Sequence, residues 1–460
     1  MDTQNFIAGA AEIDITPPLG TAINGDFVSH YAHVIHDPLY AKALVLQNNE
    51  QTIAFVVVDI CMMRKDFVDE VKREIFERCA ITRENILISA THTHAGGSIE
   101  DLLLAVADLT YRKKLSGLII EAVIKAKENM CPAKIAFGSV EVPEHTVCRR
   151  YFMKPEYKAY NPVTDGYDII KTNPLGYESQ IAKREGTTDP EVCYLVVKGM
   201  DDQWISLLAN YSMHYAGDWE NGTITADYFG VFSEQIKSKL QAPDGFVAMM
   251  SNGTSGDANI IDFLEPGRYP SAFFAKSNLI GNDIAGRIAD SVKGIEWDMN
   301  APLSVQYTEL PVSIRKPTPR ELSAAKSVVV ETRYDHLAMK ESSHTGNEDA
   351  FRRIYAREQI LLNEYPDTIL FPVQVFRIGA GIIGGLGGEF FAETGLWLKE
   401  NNKAKNYFTV CLANGYVGYV PPLHEFELGG YETWRCRSSF LEKDAENIIR
   451  NKLRHLAGDI

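Results

Sequence analysis

A chain of 460 residues, 45% hydrophobic and 23% charged, is long enough for a sizeable core and has the balance of an ordinary globular protein. Its formal net charge of -15 excludes the basic face that nucleic acid needs and gives no attraction to an anionic membrane surface. No run approaches the roughly 18 apolar residues of a membrane span. In chain order, 11–20 alternates apolar and polar residues and breaks at Pro17 and Pro18, a strand entering a turn. Strands follow at 43–46 and 53–58, then a helix over 65–78 with Phe67, Val71 and Ile75 at four-residue spacing. The apolar run 86–88 completes a strand–helix–strand unit, which favours parallel pairing. It opens into Thr91-His92-Thr93-His94-Ala95-Gly96-Gly97, where two histidines two residues apart can face the same side of a sheet.

A second helix is expected over 111–129 and a strand over 134–140. Residues 141–190, rich in proline, tyrosine and glycine, read as a long irregular excursion of the functional kind. Paired strands at 191–198 and 204–209 lead to His214, then a helix on Phe232, Ile236 and Leu240. The short strand 246–250 runs into Ser251-Asn252-Gly253-Thr254-Ser255-Gly256-Asp257-Ala258-Asn259, and 271–292 is helical. Beyond Ala301 come a strand at 304–310, a helix opened by the capping box Thr318-Pro319-Arg320-Glu321, a loop over 331–350 and a helix over 349–363. Strands at 369–378 and 382–386, the latter closing on Gly387-Gly388-Glu389, precede a strand at 407–413 ending before Tyr416, and a terminal helix over 441–453. There is no internal repeat. The expected class is α/β (mixed α+β), with mixed sheets flanked by helices and strand ends converging on one cleft. Residues 1–460 read as a single catalytic domain, divisible into sub-lobes 1–300 and 301–460.

Seven cysteines without a Cys-x-x-Cys pair read as reduced thiols. The polar start Met1-Asp2-Thr3-Gln4-Asn5 lacks the form of a secretory signal, so a cytoplasmic location is expected. The Asn-x-Ser/Thr triplets at Asn210, Asn221 and Asn252 are accordingly expected to stay unmodified. Strand ends carry His92 and His94, His214, Asn252 to Asn259, Glu389 and Tyr416. Two imidazoles, a carboxylate and a phenol are acceptable ligands for a borderline cation such as zinc, though each residue also has an ordinary structural role open to it.

Several short motifs, in order along the chain, narrow this. Thr91-His92-Thr93-His94-Ala95-Gly96-Gly97 resembles the Thr-His-Thr-His-Ser-Gly-Pro-Gly stretch of the neutral/alkaline non-lysosomal ceramidases. Ile13-Asp14-Ile15-Thr16-Pro17-Pro18, Ile35-His36-Asp37-Pro38-Leu39-Tyr40-Ala41-Lys42-Ala43, Ser255-Gly256-Asp257-Ala258-Asn259, Gly388-Glu389-Phe390 and Asn414-Gly415-Tyr416-Val417-Gly418-Tyr419-Val420 with Gly430-Tyr431-Glu432 are similar to further motifs of that family. The resemblance implies a catalytic portion alone, without the family's C-terminal immunoglobulin-like domain. It implies Zn2+ as cofactor with ligands His92, His214, Glu389 and Tyr416, and His94 as a second, non-ligating histidine beside the reacting centre. It implies a substrate-binding arginine at Arg149 or Arg150, with Tyr419 carried along in the tyrosine motif. Asn259 stands where the family has a serine proposed as nucleophile, which shifts the chemistry onto activated water, although Ser255 lies close by.

The expected function is therefore zinc-dependent hydrolysis of an amide or ester in a soluble N-acyl compound rather than membrane ceramide. An acyl-sugar deacetylase or esterase on the same site, and a catalytically degenerate ligand-binding protein, are the alternatives. Asp59 and Asp227 are candidates for fixing a histidine tautomer, or else turn and cap residues. His30 and His33 are candidates for the pocket wall, and His336, His344, His424 and His455 for surface or packing. The partner expected is a small-molecule substrate; the oligomeric state is left open.

Overall fold

The computed structural model describes residues 6–259, 261–330 and 348–458. Two mixed sheets stack face to face and helices cover their outer faces, giving the expected α/β class. The larger sheet runs in the order Val247–Asn252, Trp204–Tyr211, Glu191–Gly199, Cys131–Glu141, Ile7–Asp14, Tyr40–Gln47, Thr52–Val58, Ile86–Ala90. The smaller runs Leu303–Ser313, Thr368–Ile378, Gly381–Leu386, Asn406–Val410. Strand alternation explains the near-continuous apolar runs. Leu44, Leu46, Ile53, Phe55 and Val57 turn inward with Phe376, Ile383 and Phe408 of the other sheet, while Val45, Ala54, Val56 and Val58 turn outward onto helices. The Phe55 and Phe376 rings lie 4.8 Å apart across the inter-sheet core.

The helices Lys65–Cys79 and Leu109–Glu128 pack on one half of the larger sheet, and Asp227–Lys239 and Ala275–Ser291 on the other. Ala392–Glu400 and Ala445–Gly458 cover the smaller sheet. The expected strand–helix–strand unit is present, with Thr52–Val58 and Ile86–Ala90 parallel. The capping box closes as expected: Thr318 N donates to Glu321 Oε2 at 2.6 Å, and Glu321 N to Thr318 Oγ1 at 3.3 Å.

The larger sheet has a weak seam. Ile7–Asp14 meets Cys131–Glu141 only at Ile7↔Pro132 and Ala8↔Cys131, so the two halves diverge. Val247–Asn252 then comes against Tyr40–Gln47, Thr52–Val58 and Ile86–Ala90 of the opposite half. The segment following Asn406–Val410 ties the two edges together. Cys411 N donates to Asn252 O, Ala90 N to Leu412 O, and Asn414 N to Ile88 O, at 2.9, 3.2 and 2.8 Å. Leu412 and Asn414 take left-handed φ of 53° and 61° to make this crossing, which ends the regular strand at Val410 rather than 413.

Three expectations are corrected in detail. Residues 141–190 are not irregular throughout: Arg150–Met153, Ile170–Thr172 and Ile181–Arg184 form a three-stranded sheet, and Ala159–Asn161 pairs with Gly166–Asp168. Strands of three or four residues are too short to leave a period in the sequence. The helix expected from 271 starts at Ala275, because Phe274 before it has φ 61°. The terminal helix is Ala445–Gly458, since Leu441 bridges Ile314 instead. The loop expected over 331–350 lies, up to residue 347, outside the described residues, as do His336 and His344. Among the described residues no helix is long and apolar enough to cross a membrane.

Candidate metal centre

The tie between the two sheets brings four chain segments to one point. His92 follows Ile86–Ala90, His214 follows Trp204–Tyr211, and Glu389 lies on the two-residue strand Glu389–Phe390, parallel to Tyr419–Val420. Tyr416 sits in the turn between. His92 Nε2 is 3.5 Å and His214 Nε2 3.9 Å from Glu389 Oε2, and all three residues are 3% exposed. The Tyr416 hydroxyl donates to the other oxygen, Glu389 Oε1, at 2.8 Å. Burial, reinforced by the Glu389 charge, pushes that phenol well above its ordinary value, so it is protonated as the donor.

Simple strand alternation does not explain the convergence of His92 and His94. The strand ends at Ala90, and His92 takes φ 70°, a left-handed conformation held by its N–H donating to Ile60 O at 3.0 Å. The two Nε2 atoms then lie 3.3 Å apart with rings nearly perpendicular. His94 stacks on Tyr215 at 3.7 Å. Gly25 makes room for it, because a Cβ there would fall 2.4 Å from the imidazole. Burial, with His92 and Arg149 nearby, holds His94 well below the usual histidine value.

Neither Asp59 nor Asp227 fixes a histidine tautomer. Asp59 accepts Tyr40 N at 2.9 Å and faces Lys42; Asp227 accepts Ala216 N at 2.7 Å at the start of its helix. Backbone carbonyls take that role: His92 Nδ1 lies 2.8 Å from Cys61 O, and His214 Nδ1 3.3 Å from Ser255 O. With Nδ1–H donating to a carbonyl, each ring turns an unprotonated Nε2 towards Glu389. Among the described residues, Glu389 Oε2 is buried with no hydrogen-bond partner. Two imidazole nitrogens around an orphaned carboxylate oxygen, their ligand atoms within 4.8 Å of one another, fit a divalent cation and its N/O preference.

Arg149 and Arg150 separate cleanly. Arg149 lines the cavity above this cluster, with Nη1 3.3 Å from His214 Nε2, Nε donating to Glu432 and Nη2 to Gly256 O. Its guanidinium lies over the rings of Tyr419 and Tyr431 at 5.4 and 5.1 Å. Arg150 lies behind the cavity wall, fully buried and paired with Glu185, Glu425 and Glu432. Asn259 lines the cavity and donates to Asn173 Oδ1 at 2.8 Å. Ser255 is turned away, its hydroxyl donating to Asn252 Oδ1 at 2.7 Å. His30 stands one step behind the wall, 3.2 Å from the cavity residue Asp26, and neither it nor His33 is among the lining residues.

The cavity, about 270 Å³, has walls that sequence reasoning did not assign to the site. Tyr157, Tyr160, Lys171 and Tyr177 come from the 141–190 excursion, and Tyr355 and Trp434 from the far side. Tyr215, next to His214, and Tyr431, within a recognised motif, were within reach of the sequence. Lys171 carried no signal.

Fold and site define a mixed α/β protein with a buried histidine–histidine–carboxylate cluster under an aromatic cavity. Residues 6–260 match the family described as neutral/alkaline non-lysosomal ceramidase, N-terminal, and the chain belongs to that family. It is 24% identical over 281 residues to neutral ceramidase A of Dictyostelium discoideum, covering 56% of this chain and 36% of that protein. It is 26% identical over 211 residues to neutral ceramidase 3 of Arabidopsis thaliana, covering 44% and 26%. The matched region thus spans well under half the length of these relatives. The fold is similar to that of the neutral ceramidase from Pseudomonas aeruginosa, with a TM-score of 0.72 at 17% identity over 99% of this chain and 74% of the other.

Proposed function

We propose that this chain is a zinc-dependent amidohydrolase that cleaves the amide, or an ester, of a soluble N-acyl compound. The observation that carries the reading is the partnerless Glu389 Oε2 facing two histidines whose tautomers are set from behind. His92, His214, Glu389 and Tyr416 are the ligands in this reading. When bound, zinc polarises a carbonyl and acidifies water to a pKa near 7, which supplies hydroxide at neutral pH. His94 presents Nε2 beside the ligand set, takes a proton from the attacking water and hands it to the departing amine. Arg149, with Tyr419 and Tyr431 against its faces, orients the polar part of the substrate. Asn259 cannot act as a nucleophile; its amide is a hydrogen-bonding group in the wall, so water carries the attack.

The whole described chain acts as one catalytic unit, because the ligands come from both sheets and the two share the inter-sheet core. All seven cysteines are unpaired, six of them buried, which supports a reducing compartment such as the cytoplasm. Elemental analysis of the purified chain, followed by a panel of ceramides, N-acyl amino acids and acetylated sugars, tests the reading. Stoichiometric zinc with turnover of soluble amides is expected. No bound metal after zinc is supplied, or ceramide as the sole good substrate, would overturn it.

A further inference from the structure

Lys171 enters the cavity from Ile170–Thr172, the short strand paired with Arg150–Met153. Its ammonium lies over the rings of Tyr157 and Tyr177 at 5.9 and 5.7 Å, and these rings meet edge to face at 5.0 Å. Among the described residues it makes no ion pair and no side-chain hydrogen bond. The nearby carboxylate, Asp168, is engaged elsewhere: Oδ2 accepts Gly430 N and Trp434 Nε1 at 2.9 and 2.7 Å, and Oδ1 accepts Asn161 Nδ2 at 2.8 Å. Burial, opposed by Asp168, holds the ammonium below the ordinary lysine value. In a chain of net charge -15, a half-buried cation facing a cavity without a carboxylate partner is an unfilled demand for an acceptor.

The other charges of the cavity do not meet that demand. Of the other carboxylates lining the cavity, Asp26 faces His30, Glu389 faces the two histidines, and Glu348 is solvent-exposed, its charge adding to burial in raising the phenols of Tyr157 and Tyr160 rather than pairing with Lys171. One ammonium between aromatic faces suits one negative charge, since a dianion would leave the second charge buried among rings. We propose that the substrate of this site carries a carboxylate on its amine portion, as in an N-acyl amino acid, and that Lys171 receives it. The inference rests on the hydrolytic reading above and gives it a specificity-determining residue. An uncharged amide of the same shape leaves Lys171 without a counter-charge, and that difference is the source of the selection.

A matched pair of probes tests it: N-octanoylglycine, and N-octanoylethanolamine, in which the carboxylate is replaced by a hydroxymethyl group. On the zinc-loaded full chain, kcat/KM should favour the glycine conjugate by about 10- to 100-fold. K171M should remove the preference through KM, costing the glycine conjugate at least about tenfold more than the ethanolamide; K171R should keep most of it. On the unaltered chain, affinity for octanoylglycine should weaken several-fold between about 50 and 500 mM salt while ethanolamide binding holds. Preference for the ethanolamide, an equal effect of K171M on both probes, or the same salt response for both overturns the inference. Binding to the metal-free chain, read by the fluorescence of cavity tryptophan Trp434, separates the two claims. Lys171-dependent binding of octanoylglycine without any hydrolysis defeats the hydrolytic reading alone, whereas hydrolysis with charge-blind binding defeats this inference alone.

Discussion

Adjacent arginines with opposite duties show how sharply a one-residue step divides the site. Arg149 reaches His214 and the cavity; Arg150 ties Glu185, Glu425 and Glu432 together out of reach of solvent. Removing Arg150 strands buried carboxylates, so R150M should lose about 3–5 kcal/mol of stability, measured by chemical denaturation. R149M should lose much less, because Glu432 keeps Arg150 and Thr172 as partners, yet turnover should fall at least tenfold. Equal stability of the two variants would show that the buried network does not act as described. Tyr416 makes a separate prediction. Its hydroxyl orients Glu389 at 2.8 Å, so Y416F should weaken zinc affinity about 10- to 100-fold in competition with a chromophoric chelator. Unchanged affinity would remove Tyr416 from the centre. At this scale the histidines were legible because strand ends and motifs mark them. Lys171 was not, because a lone lysine in a three-residue strand differs in nothing from a solvated one until its neighbours are known. The tautomer-fixing groups were also hidden, being backbone carbonyls of Cys61 and Ser255 rather than the aspartates that the sequence advertised.

Among the elements, the helices were readable to within a few residues because each carries one buried face over three or more turns. Lys65–Cys79 buries Phe67, Val68, Val71, Ile75 and Cys79 against the sheet, and with them Lys72, 3% exposed. Burial brings the Lys72 pKa down to about 7, against roughly 10.4 for an unfolded lysine. The unfolded chain therefore binds the extra proton between these values, and stability should rise as the pH is raised from 7 towards 10. Below pH 7 both states are protonated and the full penalty, on the order of 5 kcal/mol, is present. K72M should be more stable than the parent at pH 6 and lose the advantage by about pH 10. Urea titrations at the two pH values decide this, and parallel pH dependence in both proteins would show that Lys72 is not the group responsible. The elements that escaped the sequence are those defined by partners far along the chain. No local pattern reports that Cys411 to Asn414 will join Ile86–Ala90 to Val247–Asn252, since those bonds run through the backbone and require only that Leu412 and Asn414 accept left-handed φ.

For the whole molecule, the consequence is that the centre sits on the junction where the two sheets are tied. His92 follows the edge strand of one half of the larger sheet, His214 follows the strand next to the edge of the other, and Glu389 and Tyr416 lie on segments issuing from the smaller sheet. A cation held by all of them binds the folded arrangement and not the unfolded chain, so it stabilises by about 2.7 kcal/mol at a free concentration one hundred times Kd. For a chain of 460 residues that corresponds to a rise in Tm of about 3 °C. Calorimetry on chelator-treated protein, with zinc added back at fixed protein concentration, should show this rise growing with the logarithm of free zinc. E389Q, which keeps the shape but removes the carboxylate charge, should show little of it while melting near the metal-free parent. If E389Q responds to zinc as the parent does, the stabilising cation lies elsewhere and Glu389 is a partner of Tyr416 only. A parent that binds zinc stoichiometrically without any rise would mean that the unfolded chain holds the ion as tightly as the folded one.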